Sequence, residues 1–221
     1  MSQIIIKPNK QRRRYTLEIN DDFDIVVRTP LRASKSTIQQ LLKEHDNWIQ
    51  KQIQTKKQND NQFKEWLDPD IVYFRGKKYG ILSSDVKQVQ FQSNDIKLPL
   101  KLTKQKFLEK QAKLYLPERC LDIAEQMNLN PQKIRIRRMT SCWGTCHRDQ
   151  SITLNLALIQ APDWVSDYVM IHECAHLVHF NHSSNFWQLV DDYTEHKKSA
   201  KKWLKNHQSI LLKLSGRETI T

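Results

Sequence analysis

The stretch that decides the reading is His172–Trp187, HECAHLVHFNHSSNFW. It opens with His172, Glu173 and His176, and a third histidine, His182, follows. Positions four apart on an α-helix share a face, one turn above the other. His172 and His176 can therefore aim two imidazoles at a single ion. Glu173 lies about 100° round the helix from His172, since a turn takes roughly 3.6 residues. From there its carboxylate can reach a water on that ion without being a ligand itself. This is the HExxH arrangement, in which two histidines hold zinc and the glutamate is general base.

Context separates this reading from two surface histidines that share a helix by chance. Trp164-Val165 and Tyr168-Val169-Met170-Ile171 are apolar, so the helix runs through a core. A glutamate set among buried neighbours needs a partner, and a metal centre supplies one. His182 must come from outside the helix. It would complete three protein ligands and leave the fourth position to water. The His172–His182 spacing equals that between the outer histidines of HExxHxxGxxH, but His179 stands where that pattern has glycine. Asn181 is the expected left-handed turn residue instead. Ser183 or Ser184 can cap a following helix that carries Phe186, Trp187, Leu189 and Val190. Asp191 and Glu195 are the alternative third ligands. His179 is expected to cap the helix C-terminus as a cation.

With its flanks, the stretch resembles the signature of the YgjP-like metallopeptidase family, more distantly related to SprT-like and WLM proteases. Arg138-Met139-Thr140-Ser141-Cys142-Trp143-Gly144-Thr145-Cys146 is similar to that family's R-M-x-S-x-W-G-S-C segment. Ile152-Thr153-Leu154-Asn155 is similar to its I-x-L-N strand, and Asp167-Tyr168-Val169 leads into the histidines as in the family. Arg12-Arg13-Arg14 beside a strand pair and Trp48-Ile49 on a helix also fit. Cys142 replaces a commonly basic residue and Thr145 the usual serine. The resemblance covers most of the chain. It implies a zincin-like catalytic domain with His172, His176 and His182 on zinc and Glu173 as base.

The chain has 221 residues, 38% hydrophobic and 27% charged, enough for one catalytic domain and a smaller part. Four glycines and no G-x-G-x-x-G or Walker pattern argue against a nucleotide-binding loop. The apolar run of MSQIIIKPNKQRRR is too short for a signal peptide, and no stretch approaches the ~20 apolar residues of a membrane span. A cytoplasmic protein is expected, with no membrane partner. Its cysteines, Cys120, Cys142, Cys146 and Cys174, are then thiols. Cys142 and Cys146 lack the C-x2-C pairing of a second metal site, and Cys174 reads as a small buried residue. The net charge of +12 attracts polyanions, but no recognition motif accompanies the scattered lysines.

The expected fold is α+β: a small β-rich N-terminal part and a zincin-like domain with an active-site helix and a short antiparallel sheet. Residues 1–100 form the first part and 101–221 the second. Strands are expected over 3–7 and 15–28, then a helix from Ser34 or Ser36 to about Lys57 that packs Ile38, Leu41, Leu42, His45, Trp48, Ile49 and Ile53 on them. Residues 58–62 read as a mobile linker. Small antiparallel pieces follow over 71–100. Thr103 opens a long helix that Pro117 should kink or split. Residues 134–138 and 151–155 are expected to form an antiparallel pair across 147–150. Leu156–Gln160 is a short helix, Pro162 starts the histidine helix, and 197–214 is a basic amphipathic helix that packs through Trp203, Leu204, Ile210, Leu211 and Leu214.

The chemistry expected is metal-activated hydrolysis of a peptide or protein, with one Zn2+ per chain, a site another divalent transition metal can also occupy. Trp143, Gly144 and Arg138 are candidate substrate contacts beside the site. Arg135, Arg137 and Arg138 raise an alternative, a metal-dependent nucleotide hydrolase, because arginine forks suit phosphate. A second alternative is a nucleic-acid-associated protease of the SprT-like kind. The oligomeric state is not legible.

Overall fold

The computed structural model describes residues 3–20 and 22–216, without the side chains of 58–63 and 213–216. The chain divides into two units, 1–64 and 65–221. The boundary expected near residue 100 therefore comes earlier. The reason is packing: Val72, Ile96 and Leu98 share one core with Phe107, Leu154 and Met170.

In the first unit β1 (Ile4–Asn9), β2 (Thr16–Ile19) and β3 (Ile25–Pro30) form a sheet of order β1-β3-β2. β1 runs parallel to β3, and β2 antiparallel to it. The expected single helix is two, α1 (Lys35–Glu44) and α2 (Asp46–Leu67). Ser34 caps α1 by accepting the Thr37 N–H at 3.0 Å. The break at His45 resets the helical phase. Ile38, Ile49 and Ile53 are buried, but Trp48 is 41% exposed and is not the core residue its spacing suggests. Residues 58–62, expected as a linker, lie inside α2. They are polar but contain neither proline nor glycine, so the helix can propagate through them.

The second unit opens with β4 (Ile71–Phe74), β5 (Lys77–Ser84), β6 (Gln90–Phe91) and β7 (Asp95–Pro99), in the order β4-β5-β7-β6. The two antiparallel pairs are joined by a parallel β5–β7 contact. α3 (Lys104–Gln126) follows, capped by Thr103, whose hydroxyl accepts the Lys106 N–H at 3.3 Å. Pro117 does not split it. Leu108, Ala112 and Leu116 before the proline and Cys120, Ile123 and Ala124 after it are buried in the same core, and this packing holds both halves in one element. The helix ends in a left-handed Asn128, after which the Leu129 N–H bonds the Ala124 carbonyl at 2.8 Å.

β8 (Lys133–Arg137), β9 (Gly144–Cys146) and β10 (Ser151–Asn155) form a sheet of order β8-β10-β9. The expected antiparallel pairing of the first and last is corrected: β8 and β10 are parallel. Residues 138–143 carry the chain back, and β9 takes the hairpin position, antiparallel to β10. A 3₁₀ turn (Leu156–Gln160), α4 (Asp163–Ala175), α5 (Ser184–Tyr193) and α6 (Lys197–Gly216) complete the α+β fold.

α4 carries the histidines, and its start is fixed from the β4–β5 hairpin. At the hairpin turn the Arg75 and Gly76 N–H groups donate to Ile159 and Gln160 carbonyls at 2.8 and 3.2 Å. The Arg75 guanidinium makes a forked pair with Asp163, at 2.9 and 2.6 Å. Pro162 precedes the first turn of α4, and Val165, Met170, Cys174 and Ala175 bury the helix in the core. α6 packs through Leu204, Ile210 and Leu211, with Trp203 partly buried; the side chain of Leu214 lies outside the described residues. Among the described residues no helix is long and apolar enough to cross a membrane.

Candidate metal centre

His172 lies in the last turn of α4, and His176 is the residue that caps it. The loop to α5 brings His182 to them. One ligand atom from each of the three lies within 4.8 Å of the other two. The Nε2 atoms of His172 and His182 are 3.2 Å apart. Two nitrogens bound to one tetrahedral zinc at about 2.0–2.1 Å would stand about 3.3 Å apart. The three side chains therefore fit a shared ion.

Their protonation also fits. Burial, then the neighbouring His176 and His182, brings the pKa of His172 down to about 3. Burial likewise lowers that of His176. Neutral imidazoles offer lone pairs. In His176 the tautomer is set by geometry: Nδ1 lies 2.9 Å from the His179 carbonyl, which can only accept, so Nδ1 carries the hydrogen and Nε2 is free to ligate. His179 thus contributes its main-chain oxygen, while its own N–H closes onto Ala175 at 2.9 Å. His172 differs. Its Nδ1 is buried without a hydrogen-bond partner, so the ring is held by packing against Tyr168, Phe186 and Trp187.

The loop follows one of the two predicted caps. Ser183 accepts the Phe186 N–H at 3.4 Å and starts α5. Asn181 is not left-handed, contrary to expectation. The alternative ligands are occupied elsewhere: Asp191 is ion-paired with Lys197, and the side chain of Glu195 is 88% exposed.

Glu173 is 6% exposed, and no lysine or arginine among the described residues pairs with it. Burial pushes its carboxyl up to about 8, opposed by the backbone N–H of Cys146. The carboxylate lies against Gly144, where an added Cβ would stand 2.7 Å from Cγ and Oε1 of Glu173. Gly144 was a candidate substrate contact in the sequence; in the structure it makes room for the acid.

The neighbouring candidates have structural partners. Trp143 packs against the core, and its carbonyl accepts the Asn155 N–H at 2.9 Å. The buried Asn155 amide donates to the Met139 and Cys142 carbonyls at 2.8 Å and accepts the Ala157 N–H at 3.1 Å. That pins the loop leading into Gly144. The sequence marks Asn155 only as a strand residue. Arg138 faces α3, where it pairs with Glu109 at 3.4 Å, and Arg135 donates to the Ser151 hydroxyl at 2.6 Å. The four cysteines are free thiols; among the described residues, the three histidines are the only group arranged to hold an ion.

The YgjP-like metallopeptidase domain matches residues 13–207. Among solved structures, the metallopeptidase zymogen abylysin of Pyrococcus abyssi is 23% identical over 42% of this chain and 95% of its own, with a TM-score of 0.38. The zymogen jannalysin of Methanocaldococcus jannaschii is 19% identical over 43% and 89%, with a TM-score of 0.37. No curated protein matches. The family match spans most of the chain, including His172, Glu173, His176 and His182, and the chain therefore belongs to the YgjP-like metallopeptidase family.

Proposed function

We propose that this protein is a peptidase dependent on one divalent transition metal, zinc by expectation, held by His172, His176 and His182, with Glu173 as general base. The observation that carries the reading is a buried carboxyl without a cationic side-chain partner beside three converging imidazoles. A metal held by these three residues would supply Lewis-acid activation of a water and would favour the ionised form of the adjacent carboxyl.

The chain supplies the rest. A carboxylate oxygen of Glu173 takes the proton of the attacking water and delivers it to the departing amine nitrogen. Gly144 permits the approach of that carboxylate, and the Cys146 N–H steadies its charged form. β9 is an edge strand that ends the order β8-β10-β9. An extended peptide can pair with such an edge through its backbone, beside Glu173. Of the three arginines behind the nucleotide reading, Arg135 and Arg138 have protein partners and Arg137 is exposed.

The test is to reconstitute the purified chain with zinc and offer it mixed peptides and, separately, nucleotides. Peptide fragments whose release stops with a chelator are expected. Phosphate or pyrophosphate released without peptide cleavage would overturn the reading.

A further inference from the structure

His172 and His176 are fixed by a helix and its cap; His182 is not. It is exposed and lies between α4 and α5, outside regular structure. Its one hydrogen-bonding contact among the described residues is with Nε2 of His172, on the side where an ion would sit. Aromatic rings hold it instead. The imidazole lies nearly parallel to the Trp187 indole, 5.3 Å between centroids at 19°, and meets Phe186 edge-on at 4.8 Å and 81°. Phe186 is fully buried and anchors the start of α5. Trp187 is engaged in turn from α6: the Lys201 ammonium stands 3.8 Å from its ring centre and that of Lys197 5.3 Å.

We propose that Trp187 is the positioning residue for the third metal ligand, and that Lys201 holds the indole in register; the inference rests on His182 being that ligand. Ligating histidines are commonly oriented by a hydrogen bond at the other ring nitrogen, as His176 is. His182 has a stacked face in its place. An imidazole already stacked loses little freedom when it binds an ion, whereas an exposed one free to rotate loses more. Affinity for the metal is therefore set partly by α6, an element that carries none of the ligands.

The test measures zinc affinity of the full chain by chelator competition, with the visible absorption of the Co2+-loaded protein as a readout of ligand geometry. His182→Ala fixes the scale by removing the ligand. Trp187→Leu should weaken zinc binding by about 10–100-fold, the usual effect of losing a residue that orients a ligand, and should change the Co2+ bands. Trp187→Phe, which keeps a flat ring, should lose less. Lys201→Met frees the indole but also removes a positive charge that acts on His172 and opposes a cation there, so its readout is the Co2+ spectrum, which should change in the same sense as in Trp187→Leu. Parental affinity in Trp187→Leu and an unchanged Co2+ spectrum in Trp187→Leu and Lys201→Met, with metal lost in His182→Ala, overturn the positioning role alone. Parental affinity in His182→Ala overturns the ligand assignment as well. Should Trp187→Leu not fold, Trp187→Phe and Lys201→Met decide.

Discussion

Gly144 and Glu173 are in van der Waals contact across the junction of β9 and α4, and a single added methyl group on the glycine would lie 2.7 Å from the Cγ and Oε1 of the acid. The acid that would handle the proton is thus placed by a residue with no side chain. Real Cβ atoms do not approach so closely, so any other residue must push the carboxylate away or move the strand. Because Asn155 pins the loop before β9 and burial fixes α4, neither can yield freely.

Gly144→Ala should therefore keep its metal and lose activity. The nearest atoms to the added methyl all belong to Glu173 and none to a histidine, and a displacement of about 1 Å at a catalytic group can cost 10²-fold. Metal content by elemental analysis and peptide turnover, measured on the same preparation, check this. Parental turnover would mean that Glu173 tolerates displacement.

The metal-free protein should show a pH signature of the buried acid. Burial raises Glu173 from 4.5 to about 8, so the native state favours the protonated form. Its contribution to stability is complete below about 4.5 and is lost as pH rises through about 8. Urea unfolding of chelator-treated parent and Glu173→Gln should show the parent losing stability relative to the variant between these values. His172, whose pKa burial lowers to about 3, acts in the opposite sense but is common to both proteins. A difference that stays constant with pH would contradict the burial of an unpaired carboxyl.

Gly76→Ala should destabilise the fold without abolishing metal binding. Gly76 has φ +76, and a Cβ there would meet the Pro162 backbone at 2.7 Å, where the β4–β5 hairpin docks on the start of α4. Strained backbone of this kind costs about 1–3 kcal/mol. Thermal unfolding reads the loss; a Tm equal to the parent's would show that the hairpin can shift.

Much of the site was legible because its signals are local. HExxH needs only the spacing of a helix, Ser183 lies where a cap must follow the third histidine, and Pro162 marks the helix start. What was not legible depends on partners distant in sequence. Nothing in residues 133–137 says that they run parallel to 151–155, because a third strand takes the hairpin position between them in sequence. Trp48 fell on a helical stripe, but the break at His45 moved it to solvent. Trp187 read only as a residue of the following helix, and only the structure stacks it on His182. Gly144 did carry a signal: a glycine within a strand often marks the close approach of another group. The identity of that group, Glu173, required the fold.

The central claim is a metal centre whose ligands and base are different residues, and Glu173→Gln tests it most directly. The amide nearly preserves size and is not a proposed ligand, yet it cannot take a proton from water. Metal stoichiometry should match the parent, and peptide hydrolysis should fall by about 10²–10⁴-fold, the usual contribution of general-base catalysis. Near-parental turnover, or loss of the metal along with the activity, would contradict the account.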